Sequence, residues 1–260
     1  MTLAQDLWAP LRPTSLALTG LAALLGSQVA RACGCGADGL AAVAAIALAL
    51  GGHLVVQWRS VLPLGKARDV ADVAGWAVIG GGILLAARSG PGLVGVGVAM
   101  LALSAWASHR PAADSTEAAA VPPRRPGLPL AVGLCAGLAV IAVDQAQRHA
   151  LSAMAAVVAG GPAWLLAAAA ATAQAAQRRQ PAIAPWAFGL IGHGWVAAWW
   201  LAQWLPTQAW WALGALPLSL AGGIAALAGR HRLGAWLAQA AAAAQMLLLS
   251  AALAAVAALR

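Results

Sequence analysis

Charge, asparagine and tyrosine are what this sequence lacks. Asp, Glu, Lys and Arg make up only 8% of its 260 residues, phenylalanine occurs once, and tyrosine and asparagine do not occur at all. Soluble globular domains carry about 25% charged residues, so a water-soluble enzyme, a nucleic-acid-binding protein and a disordered tail are excluded as classes. The three cysteines, Cys33, Cys35 and Cys135, are too few and too unevenly spaced for a disulfide framework or a zinc site. What is present is apolar: 62% of the residues are hydrophobic and the mean hydropathy is +0.81. This is the composition of an integral membrane protein whose first partner is the lipid bilayer.

A membrane crossing takes roughly 17 to 25 mostly apolar residues. Charges and Pro/Gly clusters divide the chain into nine segments of that size, near 14–30, 39–58, 70–87, 91–108, 127–143, 151–173, 182–204, 207–229 and 234–259. The expected architecture is therefore all-α and polytopic, with residues 1–260 as one membrane domain. A linker at 109–126, with Asp114, Glu117 and the run Pro122-Pro123-Arg124-Arg125-Pro126, divides four spans from five.

Basic residues orient these spans. Arg12, Arg59, Lys66, Arg68, Arg110, Arg124, Arg125, Arg178, Arg179, Arg230 and Arg232 fall on one side, and Arg31, Arg88, Arg148 and Arg260 on the other. The positive-inside bias then predicts a cytoplasmic N-terminus and an external C-terminus, and accounts for most of the +8 net charge. The first span also reads as a signal peptide ending at Ala30-Arg31-Ala32; its removal would leave eight spans with the same loops inside.

Ionisable groups at membrane depth are costly and mark candidate sites. Asp69 and Asp72 lie beside Lys66 and Arg68 at the cytoplasmic start of the third span. In a helix their spacing puts both carboxylates on one face, where they could share a Mg²⁺; the other reading is a solvated helix N-terminus, where acids suit the dipole. His53 and His193, in the second and seventh spans, either clamp a haem iron from two helices or are hydrogen-bonded within the bundle. Cys33-Gly34-Cys35 offers metal-binding or oxidisable thiols but too few ligands by itself. Of thirteen tryptophans, Trp195, Trp199, Trp200, Trp204, Trp210 and Trp211 cluster around the seventh span and the start of the eighth. They form an interfacial belt, or, at Trp195 and Trp199, a groove for an isoprenoid or a flat ring.

The opening Leu7-Trp8, Arg12-Pro13-Thr14-Ser15-Leu16 and Leu25-Gly26-Ser27, with the later Leu216-Pro217-Leu218, Arg230-His231-Arg232 and Gln245-Met246-Leu247-Leu248, resembles the UbiA superfamily of intramembrane aromatic prenyltransferases, most of all its menaquinone-pathway branch. The resemblance implies a nine-helix bundle in a bacterial-type inner membrane. It also implies transfer of a polyprenyl group from its diphosphate to an aromatic quinone precursor, with Mg²⁺ held by Asp-rich motifs after the second and sixth spans. Neither motif stands here in its usual form. Gln57-Trp58-Arg59-Ser60 follows the second span, with Asp69 and Asp72 downstream, and Thr172 to Gln180 after the sixth contains no acid. Carried onto this sequence, the resemblance gives Mg²⁺ to Asp69 and Asp72, and the diphosphate to Lys66, Arg68, Arg178 and Arg179, with Arg12 at the same mouth. The degenerate motifs equally allow a non-catalytic membrane subunit or scaffold that binds lipid, quinone or partner helices, and the two histidines allow a haem or pigment carrier.

Overall fold

A computed structural model describes residues 13–35, 38–61, 66–108, 127–148, 153–178, 184–204 and 207–259. Among them there is no strand. The helices are α1 (Pro13–Ala32), α2 (Gly39–Val61), α3 (Lys66–Ala86), α4 (Pro91–Ser108), α5 (Leu128–Arg148), α6 (Ala153–Arg178), α7 (Ala184–Trp204), α8 (Leu216–Leu227) and α9 (His231–Ala258), with a 3₁₀ segment, Thr207–Ala215, leading into α8. Five stretches of the described residues are long and apolar enough to cross a membrane: Gly39–Val56, Leu128–Arg148, Ala153–Ala176, Trp210–Leu227 and His231–Ala258. The chain is thus compatible with a multi-pass membrane protein.

The helix boundaries have local causes. Asp38 caps α2, its Oδ1 accepting from the backbone N–H of Leu40 at 2.9 Å and of Ala41 at 3.3 Å. α1 and α8 close on glycines in the left-handed region, Gly34 at φ 78° and Gly229 at φ 76°, where a side chain would be strained. The 3₁₀ segment ends at Leu216-Pro217, because a proline has no N–H to return to Leu213 in a continuous α-helix and its ring crowds the preceding turn.

Small residues set the packing. Lipid tails are as apolar as leucine, so bundle helices associate through close contact and hydrogen bonds more than through hydrophobic burial. α5 lies at the centre, packed on α1, α2, α4 and α6. A methyl at Gly26 would strike the Val140 carbonyl, and one at Gly133 the Ala163 carbonyl, so α1 and α6 approach α5 almost backbone to backbone. α2 and α3 pair antiparallel through Gly51, Gly75 and Gly82, against Ile79, Val55 and Leu48. α8 and α9 meet at Gly222 and Gly234. α9 then lies against α6 and α1 and ties the second half of the chain to the first.

Candidate functional site

Where α6, α7 and α9 meet, the close packing gives way. A cavity of about 450 Å³ opens there, lined by Val158, Gly160, Gly161, Trp164, Gly189, Gly192, His193, Val196, Gln245 and Leu249 among others. Its shape follows from the sequence of α6. Gly160-Gly161 presents no side chains, and Pro162 lies inside the helix, leaving the Val158 carbonyl without its helical donor. Opposite, Gly192 has open space where a Cβ would stand, as does Gly160. Ala156, Gly160, Trp164 and Val196 are exposed at the rim, so the cavity opens sideways from the bundle.

Its floor is polar. His193 and Gln245, near the middles of α7 and α9, are 7% and 3% exposed, and His193 Nε2 lies 3.3 Å from Gln245 Oε1. An amide oxygen only accepts, so Nε2–H donates; in the neutral ring Nδ1 is then an acceptor, and the Gln245 amide keeps its N–H donors. Gly161 makes the arrangement sterically feasible, since a methyl there would lie 2.8 Å from Gln245 Nε2. Trp164 forms one wall, stacked on Trp186 with centroids 5.2 Å apart and planes at 26°. The Trp164 indole N–H donates to the Gly189 carbonyl at 3.3 Å, which fixes the ring. The result is an apolar, aromatic-sided recess with one donor and one acceptor at its base.

His53 sits elsewhere. It borders a separate space of about 40 Å³ among α1, α2, α5 and α6, with Thr19, Cys135 and Leu166, and its Nδ1 lies 3.0 Å from Thr19 Oγ1. The two histidines therefore belong to different cavities, each bonded to its own partner, as the bundle-histidine reading expects. Among the described residues no three His, Cys, Asp or Glu side chains are grouped to hold a metal ion.

The diphosphate candidates fall largely at the edge of what is described. Arg12 and Arg179 lie outside the described residues. Lys66, Arg68 and Asp69 belong to the first turn of α3 and Arg178 ends α6, but their side chains lie outside the described part. Asp72 is half-buried one turn further along α3. α3 packs on α2 and α4, and α6 on α5, α7 and α9, with no substantial packing between α3 and α6 among the described residues. At the end of α6, Thr172 turns its hydroxyl back to the Ala168 carbonyl at 2.7 Å, and only neutral glutamines follow before Arg178. The described end of α6 thus offers no carboxylate for the second metal site that the resemblance implies.

Gln245, Trp164 and Trp186 carry no local signal of a site, since each stands singly in an apolar run. Asp144 lies just past the segment near 127–143, and α5 continues beyond it to Arg148. Its carboxylate is buried, with Arg148 Nε 3.9 Å from Oδ1, and neither oxygen has a hydrogen-bond partner among the described residues. A carboxylate within four residues of an arginine near the end of an apolar run was the available signal. No family model, curated protein or solved structure matches the chain.

Proposed function

We propose that this chain is a nine-span inner-membrane protein, with its N-terminus in the cytoplasm, that binds an isoprenoid lipid bearing a polar ring, of the quinone or quinone-precursor class, between α6, α7 and α9. The observation that carries the reading is the His193–Gln245 pair at the base of an otherwise apolar cavity open at the side of the bundle. A quinone carbonyl accepts from the Gln245 amide, a ring hydroxyl donates to His193 Nδ1, and Trp164 offers its face to the ring. The prenyl tail leaves past Ala156 and Val196 toward lipid. The test is binding of a short-chain ubiquinone to the chain in lipid nanodiscs, followed by native mass spectrometry. His193→Leu removes the bond that orients the Gln245 amide and should weaken ubiquinone about tenfold, and equal binding by wild type and variant would reject the site.

A second reading adds chemistry: a UbiA-type prenyltransferase with degenerate motifs, with Lys66, Arg68, Arg178 and Arg179 on the diphosphate of a polyprenyl donor. It is favoured by the helical start of α3, which sets Asp69 and Asp72 one turn apart. Diphosphate release from a labelled polyprenyl diphosphate, with Mg²⁺ and dihydroxynaphthoate or hydroxybenzoate, tests it. Release that persists in Asp69→Ala with Asp72→Ala would remove those carboxylates from the assignment.

A further inference from the structure

The chain leaves α1 through a tight helix cap. Gly34 N–H donates to the Arg31 carbonyl at 2.9 Å and Cys35 N–H to the Ala30 carbonyl at 3.2 Å, the pair of bonds that defines a Schellman motif. The positive φ of Gly34 lets the backbone double back, so that Cys33 and Cys35 are held on one short, fixed turn. Cys35 Sγ lies 4.0 Å from the Cys33 carbonyl oxygen. Both thiols are free and half-buried.

The sequence supplies two sulfurs here, and the fold adds a third. Met154, in the first turn of α6, places its Sδ 4.0 Å from Cys33 Sγ. Arg148, at the end of α5, brings Nη1 to 2.7 Å from the same sulfur. Gln147 Nε2, donating to Ser27 Oγ at 3.3 Å, ties the ends of α5 and α1 together beside it. Three helix ends thus converge on one bundle face, the one the basic-residue asymmetry assigns to the outside.

We propose that Cys33, Cys35 and Met154 form a binding site for a single soft monovalent cation of the Cu⁺ type. Two thiols and a thioether are soft ligands that select Cu⁺. Zn²⁺ takes four ligands, from thiolate, imidazole and carboxylate groups, and among the described residues no third His, Cys, Asp or Glu joins the two cysteines. The Cys33–Met154 spacing fits a shared ion: metal–thiolate bonds of about 2.3 Å, set in a trigonal plane, hold sulfurs about 4.0 Å apart, the distance between these two. Binding displaces the two thiol protons to solvent and leaves one net negative charge on the bound site, which the Arg148 guanidinium faces at hydrogen-bond distance. No electron transfer is involved.

The test uses the full chain, purified and reduced in detergent without oxygen and titrated with Cu⁺ against a chromophoric Cu⁺ chelator. One Cu⁺ per chain should be retained, with three sulfur neighbours in its X-ray absorption spectrum. Met154→Leu keeps the packing volume; it should lower affinity about tenfold and remove one sulfur neighbour while the melting temperature holds. Cys35→Ser should lower affinity about a hundredfold or more, and leave ubiquinone binding between α6, α7 and α9 unchanged. The proposal is overturned if reduced wild type retains no Cu⁺, if Met154→Leu keeps three sulfur neighbours, or if Cys33 and Cys35 form a disulfide that excludes Cu⁺ even after treatment with reductant.

Discussion

His53 and His193 lie near the middles of their helices and each bonds to one polar neighbour, yet one borders about 40 Å³ of space and the other about 450 Å³. The difference comes from how each region uses its glycines. On that side of the bundle Gly26, Gly51, Gly52 and Gly133 face backbone or side chains of the next helix, and each missing side chain becomes a closer approach. Around His193, Gly160 and Gly192 face open space, and the missing side chains become volume. Pro162 keeps α6 from closing that volume with a regular ladder. The same residue type therefore draws helices together at Gly26 and Gly133 and leaves volume at Gly160 and Gly192, and what decides is the partner across the interface.

The largest effect expected from this contrast is at the closely packed side. Gly133→Val drives a branched side chain into the Ala163 carbonyl and should destabilise the fold by about 3 kcal/mol, read as a lowered unfolding midpoint in mixed micelles; a midpoint equal to wild type would show that α5 and α6 are not so close. Next comes Gly192→Leu, whose Cβ would meet nothing within 4 Å. It should preserve the unfolding midpoint while reducing ubiquinone affinity about a hundredfold by filling the recess. If it costs stability and spares binding, the two regions are not distinguished by their glycines. Gln245→Ala removes the donor at the cavity floor and should weaken ubiquinone about tenfold, a loss that a quinone analogue lacking ring carbonyls should not suffer. Smallest is His53→Leu: ubiquinone affinity should stay within about twofold, and the loss of the Thr19 bond should cost about 1 kcal/mol, in the range of hydrogen bonds between membrane helices. A large binding defect there would mean the two cavities communicate.

How much of this could be read from the residues alone follows the range of the interactions. Apolar run length and its interruptions are local, so the segments at 39–58 and 91–108 coincide with α2 and α4 to within a few residues. The segment at 207–229 is helical too, but its first part winds as 3₁₀, because Pro217 acts on the turn before it in a way a hydropathy count does not register. Span ends were less legible where a charge marks the boundary. The apolar segment near 127–143 stops at Asp144, whereas α5 runs one turn further to Arg148, whose guanidinium faces that carboxylate. The site was less legible still. Nothing in the spacing of His193 and Gln245, fifty-two residues apart, says that they meet, and Met154 becomes a neighbour of Cys33 only when α1, α5 and α6 are assembled. Asp69 and Asp72 were legible as a pair because their relation lies within one helix.

The 3₁₀ stretch ahead of α8 has a geometric consequence. The twelve residues of α8 span only about 18 Å at 1.5 Å each, well short of a hydrocarbon layer about 30 Å thick. The nine residues before it, wound at about 2.0 Å each, add another 18 Å, against about 13.5 Å had they been α-helical. Tighter winding thus lengthens this leg of the chain by about 4.5 Å, from about 31.5 to about 36 Å, which takes it from barely matching the hydrocarbon layer to clearing it by several ångströms.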